Sequence, residues 1–145
     1  CSSDLRHTPV VGLITGTVGC FGGMSIAAGL CSYLVVTKEA RLGLNGPQVI
    51  EQEAGITEYD SKDKPFIWSM TGGEIRYETG FADELAVDDV DAVRTAIAKC
   101  FAQGSPESFR TDRVGFYLPR LAGFDASQQV FPEITKALFS QGDRK

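Results

Sequence analysis

Residues 10–24 read Val-Val-Gly-Leu-Ile-Thr-Gly-Thr-Val-Gly-Cys-Phe-Gly-Gly-Met, and residues 32–37 read Ser-Tyr-Leu-Val-Val-Thr. The first run opens after Thr8-Pro9 with Val10–Thr15, a continuous apolar segment of the kind that a strand buried on both faces shows. Pro9 stands at the edge of that run, where a missing N–H does no harm. A glycine-rich stretch follows, then Met24, Ile26, Ala27, Ala28 and Leu30, which predict a helix. Ser32–Thr37 predicts a second strand. Strand, crossover helix and strand in that order make a βαβ unit, normally parallel and right-handed.

The glycine stretch is the candidate site. Gly19, Gly22 and Gly23 let the backbone approach a ligand closely. The helix that follows turns its unpaired N–H groups and the positive end of its dipole toward the loop. Such a place suits a phosphate or a developing oxyanion. A P-loop is excluded, because Met24-Ser25 stands where Lys-Ser/Thr would follow the last glycine. The dinucleotide spacing G-x-G-x-x-G fails as well. Tight packing of strand against helix explains the same glycines equally well.

Further along, Ala40–Leu44 predicts a short strand. Asn45-Gly46-Pro47 predicts a turn, with Asn45 as cap and Pro47 at the first position of a helix over 47–53. Residues 55–65 are polar and loop-like, and 64–70 predict a helix. Thr71-Gly-Gly-Glu74 matches a capping box for a helix reaching Thr79 and stopped by Gly80. Asp88 and Asp89 open the most regular helix, with Val90, Val93, Ile97 and Phe101 on one face and Gly104 closing it. A last helix is expected over 132–139. The boundaries give one unit, 1–145, with a core over 1–104 and a helical tail over 105–145.

The chain has 145 residues, 43% hydrophobic and 23% charged, with a net charge of −5. That is a globular composition. The negative balance argues against nucleic-acid binding by phosphate neutralisation. No apolar run suits a membrane-spanning helix. Cys1, Cys20, Cys31 and Cys100 form no C-x-x-C pair, and His7 is the single histidine, so no metal site is expected. The cysteines sit in apolar contexts and read as free thiols of a reducing cytoplasm. Residues 51–91 carry twelve acids against three bases, and 110–145 carry six bases against four acids. Solvated faces explain both runs; alternatively the basic tail meets an acidic partner. Arg76 and Asp83 are expected to form a structural ion pair. Phe66, Trp68 and Met70 are expected to pack. Glu51 and Glu53 suit a solvated helix face or a subunit contact.

The order of strand, Gly22-Gly23, helix, strand and then Ala40-Arg-Leu-Gly-Leu44 resembles the crotonase-like (ClpP/crotonase) superfamily, an α/β fold built as a ββα superhelix. Residues 46–52, Gly-Pro-Gln-Val-Ile-Glu-Gln, resemble a segment of the acyl-CoA carboxyltransferases. Together with residues 19–24, with Thr71-Gly-Gly-Glu-Ile-Arg76 and with Gly80-Phe-Ala-Asp83, the likeness is to the beta-subunit family of biotin-independent malonate decarboxylases. It extends over roughly positions 8–140.

The resemblance implies that the Gly-Gly pair is half of an oxyanion hole for a thioester carbonyl. Gly22 and Gly23 hold that position here, and the second donor lies in an earlier loop that this chain lacks. The resemblance also places Gly19, Cys20, Phe21, Gly46 and Pro47 along the substrate. The hydratases of the superfamily use acids where this chain has Ser25 and Asn45-Gly46-Pro47-Gln48, so hydration is disfavoured. The implied reaction is decarboxylation of a malonyl thioester through an enolate, without metal or redox cofactor. The implied partners are a homologous gamma subunit and an acyl carrier protein that bears the malonyl group on a dephospho-CoA-type arm. Such carriers are commonly acidic, which gives Arg110, Arg113 and Arg120 a role. The alternatives are the carboxyltransferase subunit of a biotin-dependent acyl-CoA carboxylase and a non-catalytic scaffold. The resemblance further leads us to expect the C-terminal half of the fold, with the N-terminal part of the subunit as a possible separate fragment.

Overall fold

The computed structural model describes residues 8–125 and 127–139. Cys1, His7, Arg144 and Lys145 lie outside them. The expected βαβ unit is present: strand β1 (Val11–Ile14), helix α1 (Gly23–Gly29) and strand β2 (Tyr33–Thr37). The two strands are parallel, with Val11 opposite Tyr33 and Ile14 opposite Val36. β1 is an edge strand, and Val10 and Leu13 of its run are exposed, so it is not buried on both faces as the apolar run suggested. A third strand, β3 (Glu84–Ala86), adds in parallel to the other side of β2, Val35 opposite Glu84 and Thr37 opposite Ala86. The sequence reading did not include β3.

Central position explains the composition of β2. Its successive side chains point to opposite faces. Leu34 and Val36 join Ile14, Ala40, Leu42 and Ala82 on one face. Tyr33 and Val35 join Ala86, Ala96 and Cys100 on the other. Leu34, Val35 and Val36 are wholly buried, each worth about 1.5–3 kcal/mol relative to an exposed side chain.

The helices follow the sequence signals with three corrections. Helices α2 (Pro47–Ala54), α3 (Lys64–Thr71), α4 (Gly73–Glu78) and α5 (Val90–Ala102) all form. The cap of α2 is Gly46 rather than Asn45, and no side chain caps it. The capping box at Thr71–Glu74 does not form, because α3 runs through Thr71 and its hydroxyl donates back to the Ile67 carbonyl at 2.8 Å. Gly72 is the N-cap of α4 instead. Residues 40–44 make isolated bridges, Cys20 with Leu42 and Arg41 with Gly72, and no strand. Asp89 caps α5 as expected, accepting from the N–H groups of Asp91 and Ala92. Its packed face is Val93, Ala96, Ile97 and Cys100, while Val90 and Phe101 are exposed. A 3-10 turn (Arg110–Arg113) leads into α6 (Val114–Ala122), and α7 (Pro132–Phe139) ends the described chain.

Two close approaches hold these layers in place. A Cβ on Gly73 would lie 1.9 Å from the carbonyl oxygen of Thr37, so α4 meets the end of β2 at a distance only glycine permits. At the other end of β2, Asp83 accepts the Leu34 N–H at 2.7 Å and donates its own N–H to the Leu34 carbonyl at 2.9 Å. Arg110 donates to that same Asp83 carboxylate, to the Cys31 carbonyl at 2.6 Å and to the Phe81 carbonyl at 3.0 Å. The expected partner of Asp83 was Arg76. Arg110 takes its place and is internal, so it is not available to an acidic carrier. Arg120 is also engaged, donating to the Phe116 carbonyl at 2.8 Å with its guanidinium 3.6 Å from the Phe116 ring centroid.

Two stability predictions follow from these contacts. Arg110→Met should cost about 3 kcal/mol in urea unfolding of the protein, because it leaves the Asp83 carboxylate without its cation. Arg110→Lys should recover less than half, since an ammonium cannot fork to three acceptors. A loss under about 0.5 kcal/mol for Arg110→Met would show the contact to be incidental. Gly73→Ala should cost at least about 2 kcal/mol, through overpacking against backbone. Gly29→Ala, with nothing within 4 Å of its added Cβ, should be neutral or slightly stabilising. Equal effects of the two alanines in thermal unfolding would refute the close-approach account.

Candidate functional site

Segment 40–44 organises the site because its backbone groups go to several different partners. The Arg41 carbonyl accepts from Cys20 N–H at 2.8 Å, and Gly43 N–H donates to the Cys20 carbonyl at 3.2 Å. Leu42 N–H donates to the Thr71 carbonyl at 2.8 Å. The Leu44 carbonyl accepts from Gly22 N–H at 2.7 Å. The glycine loop is thereby tied down residue by residue before α1 begins.

Gly22 is the N-cap of α1 at φ +63°, a left-handed conformation that favours glycine. Its N–H was expected as an oxyanion donor. That N–H is committed to Leu44, so the expectation is corrected: Gly22 shapes the turn. The N–H groups of Gly23 and Met24 find no acceptor among the described residues and are the open donors of this helix start. Ser25 closes the first turn, its N–H and hydroxyl both donating to the Gly22 carbonyl, at 3.0 and 2.7 Å.

The residues expected along a substrate separate into different jobs. Cys20 packs against the cluster around Ile14 and Leu34, and burial pushes its thiol above the ordinary range. The Phe21 ring lies 5.6 Å from the Arg41 guanidinium and fills the space beside Gly19 and Gly43. Gly46 and Pro47 start α2, with the Gly46 carbonyl accepting from Val49 and Ile50.

None of those five, Gly19, Cys20, Phe21, Gly46 or Pro47, lines the cavity beside α1. That cavity, of about 300 Å³, has Ser25 and Ile26 of α1 on one side and Leu42, Gly43 and Leu44 on another. Arg76 and Phe81 also line it. Its walls are chiefly apolar, as small-molecule sites are.

Arg76 is the charged group there. Its Nε donates to the Leu42 carbonyl at 2.8 Å, and its guanidinium lies 5.9 Å from the Phe81 ring centroid. Desolvation pushes its pKa down, and the Tyr59 phenol works in the opposite sense. No carboxylate pairs with it among the described residues. Tyr59 is buried with its Oη unpartnered; burial raises its pKa while Arg41 and Arg76 lower it. Arg41 itself is structural. Its Nη2 donates to the Thr17 and Val18 carbonyls at 2.6 and 2.9 Å, and it lies 4.4 Å from the Trp68 ring centroid. Trp68 donates to the Glu39 carbonyl, and Phe66 packs edge-on against Tyr59, so both pack as expected. The Ser61 hydroxyl and then its N–H, which donates to Glu51 at 2.7 Å, lower the Glu51 pKa and tie Ser61 to α2. Sequence reasoning missed the cavity role of Arg76 because the opposite charge nearest in sequence, Asp83, suggested a pair.

No protein-family model matches the chain. It is 59% identical to a chain in the crystal structure of a Pseudomonas malonate decarboxylase hetero-tetramer in complex with malonate, with a TM-score of 0.87. That match covers 92% of this chain and 49% of the other. A chain of the Pseudomonas malonate decarboxylase MdcD-MdcE hetero-dimer is 58% identical, with a TM-score of 0.69, over 81% of this chain and 47% of that one. The malonyl-S-ACP:biotin-protein carboxyltransferase MADC of Malonomonas rubra is 36% identical over 109 residues, 75% of this chain and 34% of the relative. The chain thus spans about half the length of these solved relatives and about a third of the curated one. In sequence and in fold, over the segment it shares with them, the chain is similar to the malonate decarboxylase-like carboxyltransferases.

Proposed function

We propose that the chain works as part of a malonate decarboxylase, in a crotonase-like carboxyltransferase subunit that converts malonyl-S-acyl carrier protein to its acetyl form. The observation that carries this reading is the open N–H of Gly23 at the start of α1, held in place because Gly22 is bonded to Leu44. The likeness to malonate decarboxylase chains at 58–59% identity supports the substrate class.

Loss of CO2 from a malonyl thioester leaves its bonding electron pair on the α-carbon, delocalised onto the thioester oxygen. An N–H aimed at that oxygen stabilises the enolate more than the starting carbonyl and so lowers the barrier. The enolate then takes one proton and becomes the acetyl thioester. The thioester arrives on the carrier protein's dephospho-CoA-type arm, and a second donor for the oxygen comes from outside this segment. A homologous gamma subunit is the proposed partner, supported by the hetero-dimeric and hetero-tetrameric relatives. A cytoplasmic setting agrees with Cys20, Cys31 and Cys100 being free thiols, and no helix among the described residues is long and apolar enough to cross a membrane.

A second reading is favoured by the carboxyltransferase relative. The same enolate forms, but the carboxyl group passes to biotin on a carrier protein. Release of CO2 without any biotin carrier separates the two readings.

Substitution at position 23 tests the donor. Proline suits the first position of a helix and removes only the N–H, and a Cβ there meets nothing within 4 Å. In the assembled complex, Gly23→Pro should lower kcat for malonyl-thioester decarboxylation by about 10²–10³. Gly23→Ala, which keeps the N–H, should stay within about threefold of the parent, a loss of under 1 kcal/mol. Full activity in a folded Gly23→Pro complex would eliminate the oxyanion role.

A further inference from the structure

Building on the decarboxylase reading, we propose that Arg76 is the carboxylate receptor of the cavity beside α1, gripping the free carboxylate of the malonyl group. Two observations meet here. The first is an apolar cavity of about 300 Å³ with Arg76 at its wall. The second is that the charge of Arg76 is unbalanced. Arg76 is half-buried against apolar walls, a setting that favours a counter-charge. The acids nearest to it in sequence are all taken. Glu74 pairs with Lys38 and Glu78 with Lys136, each at 2.7 Å, and Asp83 is held by Arg110 and the Leu34 N–H. The protein groups nearest in sequence thus leave the guanidinium open to an anion brought by a ligand.

The geometry selects the kind of anion. Nε is fixed on the Leu42 carbonyl, which leaves the two terminal nitrogens with no acceptor among the described residues. That pair matches the two oxygens of a planar carboxylate. Ile26, Leu42, Leu44 and Phe81 offer no side-chain donor for the further oxygens of a phosphate, and the Ser25 hydroxyl in the same lining already donates to the Gly22 carbonyl. Arg76 therefore distinguishes a malonyl from an acetyl thioester, and its interaction exists before the carbon–carbon bond breaks. It should act on KM rather than on kcat.

The test uses the assembled complex with Arg76→Met and Arg76→Gln, the second keeping a donor toward the Leu42 carbonyl should the first fail to assemble. Each should raise KM for the malonyl thioester by about 10–100-fold, as expected for loss of charge-assisted hydrogen bonds. kcat should change no more than about threefold. Malonate should raise the melting temperature of the parent complex but not of the variants, and inorganic phosphate should raise neither. A KM within twofold of the parent in a folded variant overturns the proposal. So does protection by malonate that survives the substitution, or protection by phosphate alone. If the parent complex binds malonate through Arg76 yet releases no CO2, the decarboxylase reading fails while the receptor stands.

Discussion

Asp83 ties the central strand, β3 and the helical tail together. Its backbone and carboxylate clasp both sides of Leu34, the second residue of the fully buried central strand. β3 begins at the very next residue, so that clasp fixes where β3 lies against β2. The cation of Arg110, from beyond α5, then closes on the same carboxylate and on the Cys31 and Phe81 carbonyls. One carboxylate thus sets a strand register and anchors the helical tail to the sheet. A partly buried ion pair of this kind adds little net stability against an apolar substitute, but breaking it from one side leaves a stranded charge. It acts as a latch more than as a source of stability.

From that latch the site follows by succession. β2 ends at Thr37, where Gly73 brings α4 into backbone contact. The chain between them, residues 40–44, cannot continue as a strand because its groups are shared among Cys20, Gly22, Thr71 and Arg76. This sharing is what makes the site rigid. Leu44 fixes Gly22 and so exposes the donors of α1, while Leu42 fixes Arg76 and so presents its free nitrogens. A pre-organised donor costs no rearrangement when charge develops, and here both polar functions derive from one five-residue segment.

The parts legible in the sequence were those with a local physical signature. The apolar run 10–15, the glycines before α1, the Pro47 helix start and the Asp89 cap each act within a few residues. β3 escaped notice because three residues, Glu84-Leu85-Ala86, are too short to show a period. The face of α5 was misjudged because Ala96 and Cys100, small residues with a weak apolar signal, make the contact that Val90 and Phe101 suggested. The Thr71 box failed because a hydroxyl at a helix end can bond backward as well as forward. Arg76 was misassigned for a different reason. Its opposite charge lies seven residues away in sequence, and nothing local shows that Arg110, 27 residues beyond Asp83, claims it first.

That competition has a consequence for turnover. If Arg76 were paired with Asp83, the cavity would be neutral and would hold an acyl group of either kind. Because Arg110 removes Asp83 from contention, the cavity retains one unmet positive charge in apolar surroundings, where an ion pair is stronger than in water. In the proposed reaction a malonyl group would meet that charge with its carboxylate. Loss of CO2 would remove the carboxylate, and an acetyl product would have nothing to offer the guanidinium. The step that moves negative charge onto the thioester oxygen would then also loosen the grip on the acyl end. A latch made for the fold, Arg110 on Asp83, is what leaves Arg76 unpaired and open to that role.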